Sequence, residues 1–462
     1  MATDPPPNDG EDETPDPSGP VNPLEHLMGA LGGGAPGAGP FGAGGAGGLD
    51  LAALFGQMQQ WLSPHDGPVN WNLAGQTARQ VVAQHSDPSP GANQTSAVRD
   101  AVRLADLWLD GATDMPSGVA VSVAWSRAEW VEQTRPVWAT VVEPVAEHVV
   151  AAMGQAMPAE VKQMAGPLAG LLGQAGGAMF GHQLGQALGA LAGEVLSGSD
   201  VGLPLAPAGT AAILPANVAA FGDGLGQEPR DVLLYVALRE CAHQRLFVHV
   251  PWLRSHLLGA VEAYARGTRL DLSAIEETVR GIDPTDPAAL QAALSDGMFE
   301  PTKTPEQVAA LTRLETLLAL VEGWVDEVVA QATNDRMPSA AALREAVRRR
   351  RASGGPAEQT FASLVGLELR PRRLRDAATL WSALRDREGA TARDQVWSHP
   401  DLLPSAADLD DPLGFAQGER AEATTGGGAV SPTSDADFDA ALRDLLDDPD
   451  NGPEGPSQNT SG

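Results

Sequence analysis

The stretch RECAHQRLF, Arg239 to Phe247, sets Glu240 and His243 three residues apart in an apolar context. That spacing is half of a known chemical device. In HExxH, two histidines four apart project from one helix face and bind a single Zn2+, and the glutamate beside the first acts as general base on the zinc-bound water. Here Glu240 holds the base position and His243 the second ligand position. Arg239 stands where the first histidine would be. A guanidinium stays protonated and offers no lone pair, and it brings positive charge to the place of the cation. A zinc site on this helix therefore needs a ligand from elsewhere.

LALVEGWVDEVV, beginning at Leu318, offers one. Glu322 and Asp326 lie one turn apart on a mostly apolar helix. Two roles are open to them: Glu322 as a metal ligand with Asp326 orienting His243, or both as acceptors of an ion pair from Arg239, whose fixed charge then stands in for the metal. The remaining candidates have plainer readings. His249 lies on the far side of the helix from His243, His256 is beyond its end, His182 reads as a packed core histidine and His399 as a turn residue beside Asp401. Cys241 reads as a small core residue, because a reactive thiol needs an accessible, electropositive setting. Ser126 reads as a helix cap, with Glu129 completing a capping box.

These residues must be held by helices. The segment Arg230–Val250 is apolar nearly all round, the mark of a buried helix, so Arg239, Glu240 and His243 are expected to face polar partners inside the protein. Pro229 suits its first turn. Apolar residues at three- and four-residue steps predict further helices over 49–62, 69–85, 96–110, 257–266, 272–280, 286–295, 305–334, 339–351 and 371–388. Pro136 and Pro144 are expected to break or kink the helix that begins near Ser126. GVAVSVAW, Gly118 to Trp125, predicts a strand, and 201–214 two short edge strands. Over 165–196, glycines recur every four residues from Gly173 to Gly193. Each costs about 1 kcal/mol of helix propensity, a cost that close approach of another helix would offset. The segment Met164–Leu196 carries Gln174, His182, Gln183 and Gln186 and reads as a buried helix rather than a membrane span. The fold class expected is mainly α with a small β-sheet.

The 462 residues do not all read as folded. Residues 1–48 form a Gly/Pro-rich acidic tail and 413–462 a second acidic tail. Neither has the apolar content to offset the entropy of ordering, which leaves 49–412 as the domain. In the C-terminal tail a short helix over 436–447 would align Phe438, Leu442, Leu445 and Leu446 for docking on a protein partner. The net charge of −30 argues against nucleic acid and anionic membranes as partners. The basic runs 348–351 and 370–375 are expected to meet the protein's own carboxylates or solvent. A single cysteine excludes an intrachain disulfide, and the acidic start MATDPPPNDGEDE lacks the apolar stretch of a secretory signal. The expected location is the cytoplasm.

Longer segments carry a resemblance. RECAHQRLFVHVPWLR, with VGLPL and the asparagine of LPANVAAF upstream and LVEGWVDEV downstream, resembles the zincin-like metallopeptidase family of actinobacteria, whose members carry only a general hydrolase label. GLELRPRRLRDAATLW and RDQVWSHPDLLPSAADLDDP extend the match. The resemblance implies a zincin-like metallopeptidase fold, mostly helical with a small sheet beside the motif helix, and Zn2+ as cofactor. A related branch, linked by name to deazaflavin-cofactor biosynthesis, keeps a fuller HExxH. Matched to it, Glu240 is the catalytic base and His243 and Glu322 are metal ligands, with Arg239 the departure. Two functions stand: a zinc-dependent hydrolase with a degenerate HExxH, and a catalytically inactive zincin-fold binding or scaffold protein that acts on a peptide or protein partner.

Overall fold

The computed structural model describes residues 65–155, 166–266, 304–352 and 373–418. The helices expected over 49–62, 272–280, 286–295 and 436–447 lie outside these residues. The described chain is mostly helical, with one small sheet. In chain order the elements are α1 (Trp71–Val82), α2 (Ala92–Leu109), β1 (Val121–Ala124), α3 (Arg127–Gln155), α4 (Gly166–Ala192), β2 (Thr210–Ile213), α5 (Pro215–Gly222), α6 (Pro229–His249), α7 (Leu253–Arg266), α8 (Pro305–Thr333), α9 (Ala340–Ala352), α10 (Leu374–Glu388), α11 (Ala390–Gln395) and α12 (Pro412–Ala416), with two 3-10 turns, Val396–Ser398 and Pro400–Leu402, before α12.

Helix starts follow local chemistry. The Ser126 hydroxyl accepts from the Glu129 N–H at 3.2 Å and the Glu129 carboxylate accepts from the Ser126 N–H at 2.7 Å, a reciprocal cap that opens α3. Thr304 and Gln307 make the same exchange at the start of α8, with Pro305 in the first turn. Pro229 opens α6 in the same way. The two prolines of α3 do not end it: the helix runs through Pro136 and Pro144. Trp130, Trp138, Val141, Val142 and Ala146 are buried along it, and that packing outweighs the missing backbone hydrogen bonds.

The sheet is a parallel pair, Val121 opposite Thr210 and Ala124 opposite Ile213. Gly198 and Leu196 extend its far edge, the Gly198 N–H donating to the Ala212 carbonyl at 2.9 Å and the Leu214 N–H to the Leu196 carbonyl at 3.0 Å. One strand, not two, therefore forms within 201–214. Val201 to Leu205 instead makes a turn, with Gly202 at φ +78°. Leu203 and Leu205 point into the core from this turn, so their apolar character signals burial rather than a strand.

The glycine ridge of α4 packs on α1. A Cβ at Gly181 would lie 2.5 Å from the Asn70 carbonyl oxygen, one at Gly185 2.4 Å from that of Ala74, and one at Gly189 2.6 Å from Val81 Cβ. No alanine fits at that separation. Among the described residues no helix is long and apolar enough to cross a membrane.

Helix α6 is the centre of the molecule, packed by α2, α5, α8, α9 and β2. A second buried knot ties the chain's later part to this body. The Asp394 carboxylate accepts from Trp324 Nε1 (2.9 Å), Thr113 Oγ1 (2.5 Å), the Asp114 N–H (3.0 Å) and Arg393 Nε (2.8 Å). Nearby, Trp397 stacks between Trp381 and Trp252, with ring centroids 5.4 and 6.3 Å apart.

Candidate functional site

Four segments meet at one buried polar cluster. Helix α6 brings Arg239, Glu240 and His243, α8 brings Glu322 and Asp326, α9 brings a row of arginines, and the turn after α4 brings Ser197 to Gly202. The sequence commits α6 to burial because Leu238, Cys241, Ala242 and Leu246 leave almost no exposed face. Its polar residues go under with them: Arg239, Glu240, His243, Gln244 and Arg245 are all buried.

Glu322 is the hub. Its Oε2 accepts from Arg239 Nη2 at 2.5 Å. Its Oε1 lies 2.9 Å from His243 Nε2 and 2.9 Å from Arg351 Nη2. Gly202 presses on the same oxygen, so that a Cβ there would approach it to 3.0 Å. Burial alone would raise the carboxyl's pKa. Arg351, His243 and Arg239 together reverse that and hold it well below the usual carboxylate range. The other nitrogen of His243, Nδ1, lies 2.8 Å from the Arg239 carbonyl oxygen. A carbonyl only accepts, so Nδ1 carries the hydrogen, and Nε2 faces the ionised Glu322. The ring also stacks on Phe247, centroids 5.9 Å apart.

Glu240 sits apart from that hub. It is fully buried, and its carboxylate accepts from the Ser199 N–H (3.0 Å), Ser199 Oγ (3.3 Å) and Gln244 Nε2 (3.0 Å). Burial pushes its pKa up, against the pull of His243 and of hydrogen bonds from Ser197, Gln244 and the Ser199 N–H. Asp326 does not reach His243. It is gripped by Arg344, with Nε at 2.9 Å from both carboxylate oxygens, and by Arg348 Nη2 at 2.6 Å. Asp200 in turn takes Arg350 Nη1 at 2.9 Å on its carboxylate, while its carbonyl accepts from Arg351. Arg239 also donates to Tyr235, whose hydroxyl burial raises to about 12.

The donor set does not fit zinc. A catalytic zinc needs three protein ligands with free lone pairs. Here His243 Nε2 and Glu322 Oε1 face one another at hydrogen-bond distance, and two guanidiniums share the same carboxylate. Among the described residues no group of three or more His, Cys, Asp or Glu side chains is arranged to hold a metal ion.

The other sequence candidates lie elsewhere. His182 bonds Thr77 and Gln186 against α1. His249 and His256 are exposed and bond the carbonyls of Ser117 and Trp252. His399 accepts the Asp401 N–H in a 3-10 turn. Cys241 is buried against the Val102 carbonyl, and burial lifts its thiol well above the ordinary range. The run 348–351 meets the protein's own carboxylates at Asp326, Asp200 and Glu322, and Glu345 in part. Sequence reasoning missed Arg351 as a partner of Glu322, and Ser199 and Gln244 as partners of Glu240. A signal was there for the first: Arg344, Arg348 and Arg351 recur at helical spacing on one face.

Among solved structures, one from Chloroflexus aurantiacus, described as a candidate hydrolase with a novel fold, is similar. It is 21% identical, aligns over 76% of this chain and 98% of its own, and superposes with a TM-score of 0.55. At that identity the likeness is one of fold. No curated protein matches the chain. The sequence profile of the zincin-like metallopeptidases matches residues 69–416. That span begins just before α1, ends with α12 and takes in the whole Glu322 cluster. Because it covers well over half of the sequence, the chain belongs to the zincin-like metallopeptidase family.

Proposed function

We propose that this protein is a catalytically inactive, metal-free member of the family, acting as a binding or scaffold protein, with the HExxH pattern degenerate at Arg239. One observation carries the reading: both oxygens of Glu322 are engaged by the chain's own guanidiniums, Arg239 donating to one and Arg351 paired with the other, on which His243 Nε2 also closes. Two further features support it. Glu240 is buried and its carboxylate is taken up by Ser199 and Gln244, and Arg239 cannot donate a lone pair. The fold is kept while the hydrolytic device is not. The partner in this reading is a peptide or protein, met in part by the C-terminal segment carrying Phe438, Leu442, Leu445 and Leu446, and the setting is cytoplasmic. The second reading, a zinc-dependent hydrolase using Glu240, His243 and Glu322, draws its support from the family match.

Elemental mass spectrometry of the purified, untagged full chain separates them. The expected result is no zinc, even after incubation with the metal. About one zinc per chain, lost in His243→Ala or Glu322→Ala, would overturn the metal-free reading and direct attention to peptide substrates.

A further inference from the structure

We infer that the place of a divalent cation is taken not by one guanidinium but by two, Arg239 from α6 and Arg351 from α9, so that Arg351 is a second, independent barrier to metal at Glu322 and His243. The inference rests on the metal-free reading and assigns its cause. Arg239 is the visible departure in the motif, yet it touches only Oε2 of Glu322. The oxygen that would share a metal with His243 is Oε1, and there the guanidinium is that of Arg351, at 2.9 Å. The two arginines thus divide the carboxylate between them, one per oxygen. Together they supply two positive charges, the charge of one Zn2+.

The neighbouring arginines are committed elsewhere. Arg344 and Arg348 hold Asp326, while Arg350 holds Asp200 and the Glu194 carbonyl. Arg351 alone of the row reaches Glu322, and the same Nη2 that meets the carboxylate also donates to the Asp200 carbonyl, which holds it in place. The turn at Gly202 also lies against Oε1, where an added Cβ would come within 3.0 Å. Burial depresses the Arg351 pKa, and Arg239 and Arg350 add to that, against the opposing pull of Glu322 and Asp200.

Restoring the missing histidine alone therefore leaves a positive charge beside the would-be ligand oxygen. Four full-length proteins test this: the parent, Arg239→His, Arg351→Gln and the double variant, each titrated with Zn2+ alone by calorimetry and checked for folding by thermal melting. The expected result is that the double variant binds zinc at least about tenfold tighter than Arg239→His, by removal of a nearby like charge, and that Arg351→Gln alone binds none. Arg239→His binding as tightly as the double variant would overturn the inference, and so would a double variant that gains nothing. Arg351→Met, which keeps much of the stem's packing, serves where the glutamine variant does not fold. Arg351→Lys in the Arg239→His background keeps the charge and is expected to stay as weak as Arg239→His. Zinc in the parent protein would count against the metal-free reading instead, so the two failures are distinct.

Discussion

Glu322 holds together three groups that could not be buried without it. Replacing it by glutamine keeps the shape and removes the charge, leaving Arg239 and Arg351 in the interior without a counter-charge. Breaking a buried pair in this way costs about 3–5 kcal/mol, and chemical denaturation of Glu322→Gln should show a loss of that size. The carboxyl's pKa is lowered in the fold from an ordinary 4.5. Its contribution is therefore complete above the unfolded value and is lost as pH falls below it toward the depressed folded value. Glu240 works in the opposite sense. Its pKa is raised by burial, so its contribution is complete below the unfolded value and declines as pH rises through the folded one. Glu240→Gln should keep the hydrogen bond from the Ser199 N–H, and its melting temperature should fall less than the parent's as pH rises above the ordinary carboxylate range. A parent-like slope would show that Glu240 does not titrate there. At this scale the sequence was informative about types and less so about partners. Arg239, Glu240, His243 and Glu322 meet in one cluster, because a buried helix forces its polar residues together. Asp326 pairs directly with Arg344 and Arg348, partners that spacing along α8 cannot show because α9 brings them.

Elements were legible where periodicity was clean. The helices containing Arg239 and Glu322 fall close to their expected bounds, since twenty or more residues of apolar pattern leave little choice. Two signals were outweighed. Proline inside α3 argues for a break or kink, and the helix runs on unbroken, while apolar residues in the Val201–Leu205 turn argue for a strand and are buried from a turn instead. The glycine ridge was read correctly as a packing device. Its cost is testable by a pair of alanines. Gly185→Ala sets a methyl against the Ala74 carbonyl oxygen and Thr77 Cβ, neither of which is a flexible chain end, and should destabilise by about 1–3 kcal/mol. Gly259→Ala in α7 meets nothing within 4 Å and should stabilise by about 0.5–1 kcal/mol. Equal effects at the two sites would mean that α1 and α4 separate readily.

For the molecule as a whole, the Asp394 knot matters most. It joins the turn after α2, the later part of α8 and α11 through one side chain. No sequence pattern pointed to it, because Thr113 and Trp324 lie 281 and 70 residues from Asp394 and each looks ordinary alone. Asp394→Ala leaves the buried Arg393 guanidinium without its carboxylate and should cost about 3–5 kcal/mol. Hydrogen exchange is expected to rise first over 390–416, ahead of α6 and α8. Uniform acceleration across all three would show that the knot is not what fastens this part of the chain.

The tryptophan stack gives that fastening an optical signature. Trp252 is remote in sequence from Trp381 and Trp397, yet the three indoles lie nearly parallel, each tilted 23° from the next. Chromophores held so close share their excited states, and the shared transition is chiral only while the column is intact. The near-ultraviolet circular dichroism of the unlabelled protein is therefore expected to carry a band that reports the seating of Trp397. If residues 390–416 lift away, that band fades while the far-ultraviolet helix signal persists, and the protein announces the change without any added probe.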